Sequence, residues 1–267
     1  MLKGKTALVT GSTRGLGAAA AAAFAGAGCT VMLNGFGEAA AIERQRAQLA
    51  ETHGVTVGYH GADLAKPAEV EALFRAAESL AGTVDILVNN AVIRHFATID
   101  AFQPEDWDRA VAVNLSAPFH LTRLALPGMY KRGWGRIINI SSVLGLGARS
   151  GRVDYVTTKT ALLGLTRATA AEMRGTGNIT CNAICPGSVL TPNTEIKIAE
   201  LAEAEGLSPE AARREYLKRR KQPGDFIQPA RIAELMLFLC RDEAQDMNGG
   251  AYPIDSGRSA SWLEADK

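Results

Sequence analysis

The stretch TALVTGSTRGLG, residues 6–17, joins a run of apolar residues to a glycine-rich turn and the start of an alanine-rich segment. The apolar run predicts a buried strand over residues 6–10, and the alanines predict a helix over residues 16–27. Glycines between a strand and a helix allow a tight turn, and the first N–H groups of the helix are free to bind a phosphate. The spacing is G-x-x-x-G-x-G, so the stretch indicates either a dinucleotide site or a purely structural turn.

The same alternation of apolar runs and alanine-rich helical stretches continues along the chain. The runs are continuously apolar, as expected of strands that are buried on both faces of a parallel sheet. The sequence therefore predicts an α/β fold, a single-domain Rossmann-like doubly wound parallel sheet over residues 1–267. Further strands are predicted at residues 30–34, 55–60, 84–90, 136–142, 179–186 and 251–254.

The composition is that of an ordinary globular protein, with 47% of its 267 residues hydrophobic and 21% charged. Its 29 Lys and Arg against 28 Asp and Glu leave a net charge of +1, which supplies no overall attraction to nucleic acid or to an anionic membrane. The start, MLKGKTALVTG, lacks the apolar run of a secretory signal, and no window has membrane-spanning length. We therefore expect a soluble cytoplasmic protein with neither a nucleic-acid nor a membrane partner.

The four cysteines, Cys29, Cys181, Cys185 and Cys240, are too few and too scattered for a disulfide framework in a chain of this length. Cys181 and Cys185 lie in an apolar run that is typical of a buried strand, where their side chains would not converge on one metal. The sequence predicts buried free thiols and no metal site.

Residues 191–228 interrupt the alternation, because this segment has Leu, Ala and Ile at helical spacing and no strand signal. Its acidic residues come first and its basic residues follow, as helix dipoles favour, so one interpretation is a solvated pair of helices. The other is a helical insertion that covers a substrate, and a helix pair can be both. The basic run at residues 213–221 has no interleaved aromatic residues, which disfavours a nucleic-acid patch.

The second predicted strand ends Asn34-Gly35-Phe36-Gly37. In dinucleotide-binding folds this strand end meets the adenosine ribose, where an acidic residue favours NAD and an arginine accommodates NADP. Neither is present here. Arg14 in the glycine-rich turn could meet a 2′-phosphate, which leaves NADP open, and the alternative for this arginine is a solvent-facing position.

A second group of polar residues lies in the second half of the chain. Tyr155 and Lys159 stand four residues apart at the start of a predicted helix, so that both lie on one face. Ser142 ends the predicted fifth strand, and Asn114 opens or interrupts a helix. With these residues the sequence resembles the short-chain dehydrogenase/reductase family, and the resemblance covers essentially the whole chain. It also includes residues 11–17, 89–91 and 186–187.

The resemblance implies a catalytic tetrad. Tyr155 would act as general acid and base on the substrate oxygen, and Lys159 would favour its phenolate and hold the nicotinamide ribose. Ser142 would bond the same substrate oxygen, and Asn114 would hold a water that relays protons. Val92 stands where the family usually has glycine, which puts one cofactor contact in question. The cofactor would otherwise touch Gly11, Thr13, Arg14, Gly15, Leu16, Gly17, Phe36, Asp63, Leu64, Asn90, Ala91, Tyr155, Lys159, Pro186, Gly187, Val189 and Thr191.

Within the family, stretches such as LNGFG, GRIINISS and NAICPG look most like bacterial D-3-hydroxybutyrate dehydrogenases. Those are NAD enzymes whose second strand also ends Asn-Gly-Phe-Gly, so the resemblance favours NAD as the cofactor. Their substrate pocket does not carry over. Those relatives have a glutamine at the position of Arg94, a histidine at that of Leu144 and a lysine at that of Arg152. They also have a glutamine near the position of Lys197 and an aromatic residue near that of Arg258.

Four basic side chains would thus share one substrate pocket with Ser142 and Tyr155. An arginine in place of a glutamine adds charge and a bidentate fork, so we expect an anionic substrate. The predicted function is NAD-dependent hydride transfer to or from a secondary alcohol or ketone, namely a 3-hydroxybutyrate-like hydroxy acid or a bulkier carboxylate, sulfonate or phosphonate. The alternatives are an NADPH-dependent ketone reductase and a non-catalytic dinucleotide sensor, and for the arginines a solvent-facing or ion-paired position. By resemblance the protein is expected to be a homotetramer or homodimer.

Overall fold

The structure, a computed structural model, describes residues 2–173 and 175–260. Seven strands form one parallel sheet in the order β3-β2-β1-β4-β5-β6-β7. Each predicted strand is confirmed, with ends that differ by at most two residues. The predicted position of Ser142 at the end of the fifth strand is wrong, because this residue lies two residues beyond that strand. The strands are Thr6–Val9 (β1), Thr30–Leu33 (β2), Val57–Tyr59 (β3), Ile86–Asn89 (β4), Trp134–Ile140 (β5), Asn178–Pro186 (β6) and Ala251–Ile254 (β7).

Helices cover both faces of this sheet, which is the doubly wound arrangement that the apolar strands predict. Alternate residues of β1 point to opposite faces, so that Ala7 and Val9 join the core beneath one helical layer and Leu8 joins the other. The helices are Gly15–Gly26 (α1), Ala39–His53 (α2), Pro67–Ala81 (α3), Pro104–Val111 (α4), Ala117–Arg132 (α5), Val153–Glu172 (α6), Pro192–Glu205 (α7), Pro209–Lys218 (α8) and Pro229–Leu239 (α9).

The first layer contains α1 and α9, and the second contains α3 and α5. The alanines of α1 let this helix approach the sheet and α9 closely, and its one aromatic side chain, Phe24, is completely buried. Burial of such a ring contributes about 2 to 3 kcal/mol. The observed start at Gly15 agrees within one residue with the predicted helix.

The order of the strands positions the candidate site. β1 lies between β2 and β4, so the helices that follow β1 and β4 leave the sheet toward opposite faces. A crevice opens at such a switch point, outside the carboxyl ends of the strands. The glycine-rich turn, residues 90–97 and Ser142 all follow carboxyl ends of central strands, and they therefore meet at this crevice.

The segment between β6 and α9 contains the helix pair α7 and α8, joined by a turn in which Gly206 has a positive φ of 62°. A small core of its own, which includes Tyr216 and Phe226, holds the pair together. A bridge between Val189 and Ile227 ties its two ends to each other. The helix pair is thus a compact unit that borders the crevice.

All four cysteines are buried free thiols, as predicted. Burial raises the pKa of Cys29 and of Cys181 to about 12, so that both stay protonated at neutral pH. Within residues 2–173 and 175–260, no helix combines the length and the apolar character that are needed to cross a membrane.

Candidate active site

A cavity of about 620 Å³ lies at the carboxyl ends of the strands. All of the predicted cofactor and substrate residues line it, and so do three members of the predicted tetrad, the exception being Asn114. The predicted substrate residues in its wall are Arg94, Ser142, Leu144, Arg152, Tyr155, Lys197 and Arg258. The predicted cofactor residues in its wall are Gly11, Thr13, Arg14, Gly15, Leu16, Gly17, Phe36, Asp63, Leu64, Asn90, Ala91, Tyr155, Lys159, Pro186, Gly187, Val189 and Thr191.

The glycine-rich turn has the shape that a pyrophosphate requires. Gly11 and Gly15 have φ angles of 63° and 58°, a conformation that favours glycine. A Cβ atom at Gly17 would lie 2.5 Å from the Asn90 amide nitrogen, so only glycine lets α1 begin this close to the loop after β4. Arg14 precedes α1 without a side-chain capping bond, which leaves the first N–H groups of the helix available to an anion. The residues present therefore fit a dinucleotide.

The loop after β4 is fastened to this turn by Thr10. Its hydroxyl oxygen accepts hydrogen bonds from the N–H groups of Asn90 and Ala91, at 2.9 and 3.0 Å. The Asn90 side chain donates to the Thr10 carbonyl at 2.8 Å. Val92, which replaces the family's glycine, follows this fastened pair and lines the cavity with 38% of its surface exposed. The valine thus changes the cavity wall and leaves the hydrogen bonds of the loop intact.

At the opposite end of the cavity, the end of β2 carries no charge. Asn34 is buried, and its side chain donates hydrogen bonds to the carbonyls of His60 and Ala62. Phe36 is 62% exposed and offers a flat face to an adenosine. Asp63 accepts a hydrogen bond from the Ala65 N–H, which with nearby Arg109 lowers the pKa of its carboxyl group. Asp63 is therefore an ionised acceptor on this wall.

Tyr155 and Lys159 lie one turn apart in the first half of α6, on the face that borders the cavity. The ammonium nitrogen of Lys159 is 5.8 Å from the centre of the Tyr155 ring and donates to the Ile140 carbonyl at 2.6 Å. Ser142 caps a short 3₁₀ turn after β5, where its hydroxyl oxygen accepts the Leu144 N–H at 3.1 Å. The serine hydrogen is left to donate to a substrate oxygen.

Lys159 is almost completely buried, with 2% of its surface exposed. Burial, reinforced by the positive charge of Arg94, lowers the pKa of Lys159 from its ordinary value of 10.5 to about 7. Its hydrogen bond to the Ile140 carbonyl fixes the position of the amine. In the empty protein this lysine therefore changes its charge near neutral pH.

The lowered pKa predicts how stability depends on pH. Between pH 7 and 10.5 the unfolded chain binds a proton at Lys159 that the folded chain has released, so this group makes stability rise with pH. We expect Lys159→Met to be the more stable protein at pH 6, by up to about 5 kcal/mol, because the variant has no charge to bury. Urea unfolding of both proteins from pH 6 to 10 should show this advantage shrinking toward pH 10. A constant difference would contradict the lowered pKa.

Asn114 lies behind the cavity wall, in a π-helical segment, Ala112–Ser116, that interrupts the helix between α4 and α5. Its side chain bonds both main-chain groups of Ile93 at 2.9 Å and donates to the Thr158 hydroxyl at 3.2 Å. The asparagine thus holds the loop after β4 against α6. The predicted interruption of the helix is confirmed, and its water-relay role stays a prediction.

A buried carboxylate makes a second connection between this loop and α6. Asp154 is fully buried and accepts hydrogen bonds from the Tyr155 N–H at 2.6 Å and the His95 N–H at 3.0 Å. The His95 ring nitrogen Nδ1 lies 3.1 Å from the same carboxylate. This arrangement fixes His95 against the start of α6. It thereby also holds the two adjacent residues, Arg94 and Phe96, beside Tyr155.

The substrate end of the cavity is strongly cationic. Arg152 is only 9% exposed, and its buried Nε and Nη2 atoms have no hydrogen-bond partner in the described part of the chain. Its guanidinium lies 4.1 Å from the centre of the Phe96 ring and 4.7 Å from that of Tyr155. The Lys197 ammonium lies 4.7 Å from the Phe96 ring centre. Arg94 and Arg258 line the same end.

These cations are close enough that the charge of each lowers the pKa of its neighbours. Burial, and then the charge of Arg94, lowers the pKa of Lys197, to which Arg220 and Arg152 add. Burial and the charges of Arg94 and Arg149 likewise lower the pKa of Arg152. Two like charges about 8 Å apart repel by about 2 kcal/mol at an effective dielectric constant of about 20. The four predicted residues do share one cavity end.

Two further members of this group, Arg149 and Arg220, were not predicted from the sequence. Arg149 lies in the loop before α6, and Arg220 follows α8, where its guanidinium lies 3.4 Å from the centre of the Tyr216 ring. Arg220 belongs to a run of basic residues, KRRK, of which Lys218 and Arg219 are exposed. Arg220 differs from these exposed neighbours only in the direction of its side chain, and no sequence motif indicates that direction.

Comparison with known proteins agrees with this geometry. A family model described as short chain dehydrogenase matches residues 5–201. D-beta-hydroxybutyrate dehydrogenase of Cupriavidus necator is 46% identical over 257 residues, which cover 96% of this chain and 98% of that protein. The Rhizobium meliloti protein of the same name is 41% identical, covering 96% and 99%. Among solved structures, L-sorbose reductase from Gluconobacter frateurii complexed with NADPH and L-sorbose gives a TM-score of 0.91 at 31% identity, covering 97% of each chain.

Proposed function

This chain belongs to the short-chain dehydrogenase family and is an NAD(P)-dependent oxidoreductase of CH–OH groups, and from that premise we propose that it is an NAD-dependent dehydrogenase of an anionic hydroxy acid. A 3-hydroxy acid related to 3-hydroxybutyrate is the simplest substrate of this kind. Relatives named for hydroxybutyrate and the cationic end of the cavity support the choice.

The burial of Arg152 without full hydrogen bonding is the single observation that carries the proposal of an anionic substrate. A buried guanidinium whose Nε and Nη2 atoms lack hydrogen-bond partners is costly, and a carboxylate, which accepts two parallel N–H bonds, lowers that cost. Arg152 lies beside the ring of Tyr155, so the bound anion would be next to the reacting carbon. Arg94 and Lys197 add charge to the same place.

The proposed mechanism uses the residues around Tyr155. When bound, the nicotinamide supplies the acceptor or donor of the hydride. In the oxidation, Tyr155 takes the hydroxyl proton of the substrate while Ser142 donates a hydrogen bond to the same oxygen. Lys159 favours the phenolate when it is charged, and Asn114 keeps the loop after β4 in register with α6. The reduction follows the same steps in reverse.

Two features at the adenosine end support NAD. The end of β2, residues 34–37, has no cationic residue for a 2′-phosphate. The Asn34 side chain already donates its hydrogen bonds to main-chain carbonyls. The Glu38 carboxylate accepts the N–H groups of Ala40 and Ala41 at 3.0 Å each, so an anion already occupies the start of α2. Arg14 is exposed at the cavity and favours the alternative, an NADPH-dependent ketone reductase.

A substrate and cofactor screen tests the proposal. We expect kcat/KM for 3-hydroxybutyrate to exceed that for its neutral amide by about 100-fold, because the amide leaves Arg152 without a charged partner. We expect NAD to be preferred over NADP by about tenfold or more, equivalent to about 1.4 kcal/mol. Initial rates with the acid and the amide at a fixed cofactor give the first ratio, and initial rates with NAD and NADP at a fixed substrate give the second.

Light scattering on the same preparation is expected to give a homotetramer or homodimer.

The matched amide isolates charge, since it has the carbon skeleton of the acid. Equal turnover of acid and amide would remove the anionic substrate, and a preference for NADP would favour the ketone reductase. Cofactor binding without turnover of any alcohol or ketone would instead indicate a dinucleotide sensor.

A further inference from the structure

The cavity wall has an excess of cations that one carboxylate does not balance. Asp63 is its only acidic residue among the described residues, and it lies at the adenosine end beside Arg109. A carboxylate has two oxygens, and a single bidentate arginine occupies both of them. The cationic residues in the wall are Arg14, Arg94, Arg109, Arg149, Arg152, Lys159, Lys197, Arg220 and Arg258.

The cations of the substrate end are held in two places. Phe96 supports the first, where Arg152 and Lys197 lie over its ring beside Tyr155. Tyr216 supports the second, where the Arg220 guanidinium lies 3.4 Å from the ring centre. An arginine stacked in this way has lost much of its freedom and presents its N–H groups in a fixed plane.

The guanidinium of Arg220 has little hydrogen bonding to the protein itself. Among the described residues it makes one hydrogen bond, a long one of 3.4 Å to the carbonyl of Tyr216. Burial lowers the pKa of Arg220, and the charges of Arg149, Arg94 and Arg258 contribute to the shift. Arg149 also lowers the pKa of Arg152 and is thus close to both places. No ion pair of the described residues neutralises Arg149 or Arg220.

Building on the proposed function, we propose that the substrate is a hydroxy acid with an anionic group at each end, and that Arg220 and Arg149 bind the second anion. The first anion lies on Arg152, next to Tyr155, and the carbinol carbon faces Tyr155 and Ser142. The second anion lies across the cavity, at the start of the loop that follows α8. Arg220 is thereby a specificity-determining residue from the helix pair, which gives that segment contact with the substrate.

Two hydroxy acids of nearly equal size test this proposal. 3-Hydroxyglutarate and 3-hydroxypentanoate differ by a carboxylate in place of a methyl group, and both keep the first carboxylate and the hydroxyl. We expect kcat/KM to be at least about tenfold higher for 3-hydroxyglutarate, the gain of one charged hydrogen bond. Arg220→Gln and Arg149→Gln should each lower this ratio by about tenfold. Arg149 is exposed in a loop, so its variant keeps the test open if Arg220→Gln does not fold.

Arg214→Gln is the matched control, because Arg214 lies on α8 and does not line this cavity. It should leave the ratio unchanged. Glutarate and pentanoate, which lack the hydroxyl, supply a binding measurement that does not need turnover, read from the fluorescence of enzyme-bound NADH. Glutarate is expected to bind about tenfold more tightly, and Arg220→Gln to abolish the difference.

The outcomes separate the two proposals. Turnover of 3-hydroxypentanoate with a ratio near one, or a high ratio that neither variant lowers, overturns the second anion site and leaves the proposed function standing. Failure of every hydroxy acid to react overturns the proposed function, and the glutarate and pentanoate affinities then decide the second site alone.

Discussion

Tyr155→Phe is expected to lower kcat by about 1000-fold, within the range of about 100 to 10,000 that general acid–base catalysis contributes. The phenylalanine keeps the ring that packs beneath Arg152 and beside Lys159 but removes the oxygen that exchanges the proton with substrate. NAD binding should persist, because the glycine-rich turn and the loop after β4 do not depend on this hydroxyl. Single-turnover kinetics, together with a fluorescence titration of NADH, separate the two effects.

Tyr130→Phe serves as the control for the loss of a phenol elsewhere. Tyr130 is 39% exposed on α5 and does not line the cavity, so its variant should match the unchanged protein in kcat. A Tyr155→Phe enzyme with full activity on every alcohol that the unchanged protein oxidises would show that another group transfers the proton. Loss of both NADH binding and activity would point to a damaged fold, which the far-UV circular dichroism of the variant would report.

The sequence was most informative where the chemistry depends on local geometry. The glycine-rich turn needs positive φ angles at Gly11 and Gly15, which few other residues adopt, so its position could be predicted from residue types alone. Tyr155 and Lys159 share a helix face through their spacing, and the continuously apolar strands required two covering layers. These features hold whatever the surrounding side chains do.

Long-range side-chain directions could not be predicted in the same way. Ser142 follows β5 in a 3₁₀ turn because its hydroxyl oxygen caps the Leu144 N–H, a contact that no strand pattern encodes. Asn114 proved to bond Ile93, far along the chain, instead of lining the cavity. Arg149 and Arg220 reach the substrate end only because the loop before α6 and the end of α8 meet there.

The net charge of +1 conceals this local distribution. Many acidic side chains lie in exposed ion pairs on the helices, such as those of Arg219 with Glu205 and Glu215. Such pairs are worth about 0 to 1 kcal/mol each, so they affect stability little. The cavity wall, by contrast, contains nine cationic side chains and, among the described residues, a single acidic one, Asp63. A neutral chain therefore presents a strongly positive site, and its attraction for substrate should weaken with added salt.

Arg152→Met is expected to raise KM for a monoanionic hydroxy acid by about 10 to 100 times, equivalent to about 1.5 to 3 kcal/mol for a lost charged hydrogen bond. The same change should stabilise the empty protein by about 1 kcal/mol or more, because methionine fills the space of the side chain without burying an unpartnered charge. Arg94 and Arg149, which lower the pKa of Arg152, would also lose a repulsive neighbour. Binding and stability thus move in opposite directions.

Arg152→Lys distinguishes the loss of charge from the loss of shape. Lysine keeps a cation over Phe96 but not the bidentate fork, so its KM should lie between those of the unchanged protein and the methionine variant. Thermal unfolding without ligand, where about 1 kcal/mol corresponds to about 2 to 4 °C for a chain of this size, measures the stability of all three proteins. An unchanged KM in Arg152→Met would remove the anion site. A methionine variant less stable than the unchanged protein would mean that the arginine is paired within the fold, and its availability to substrate would have to be abandoned.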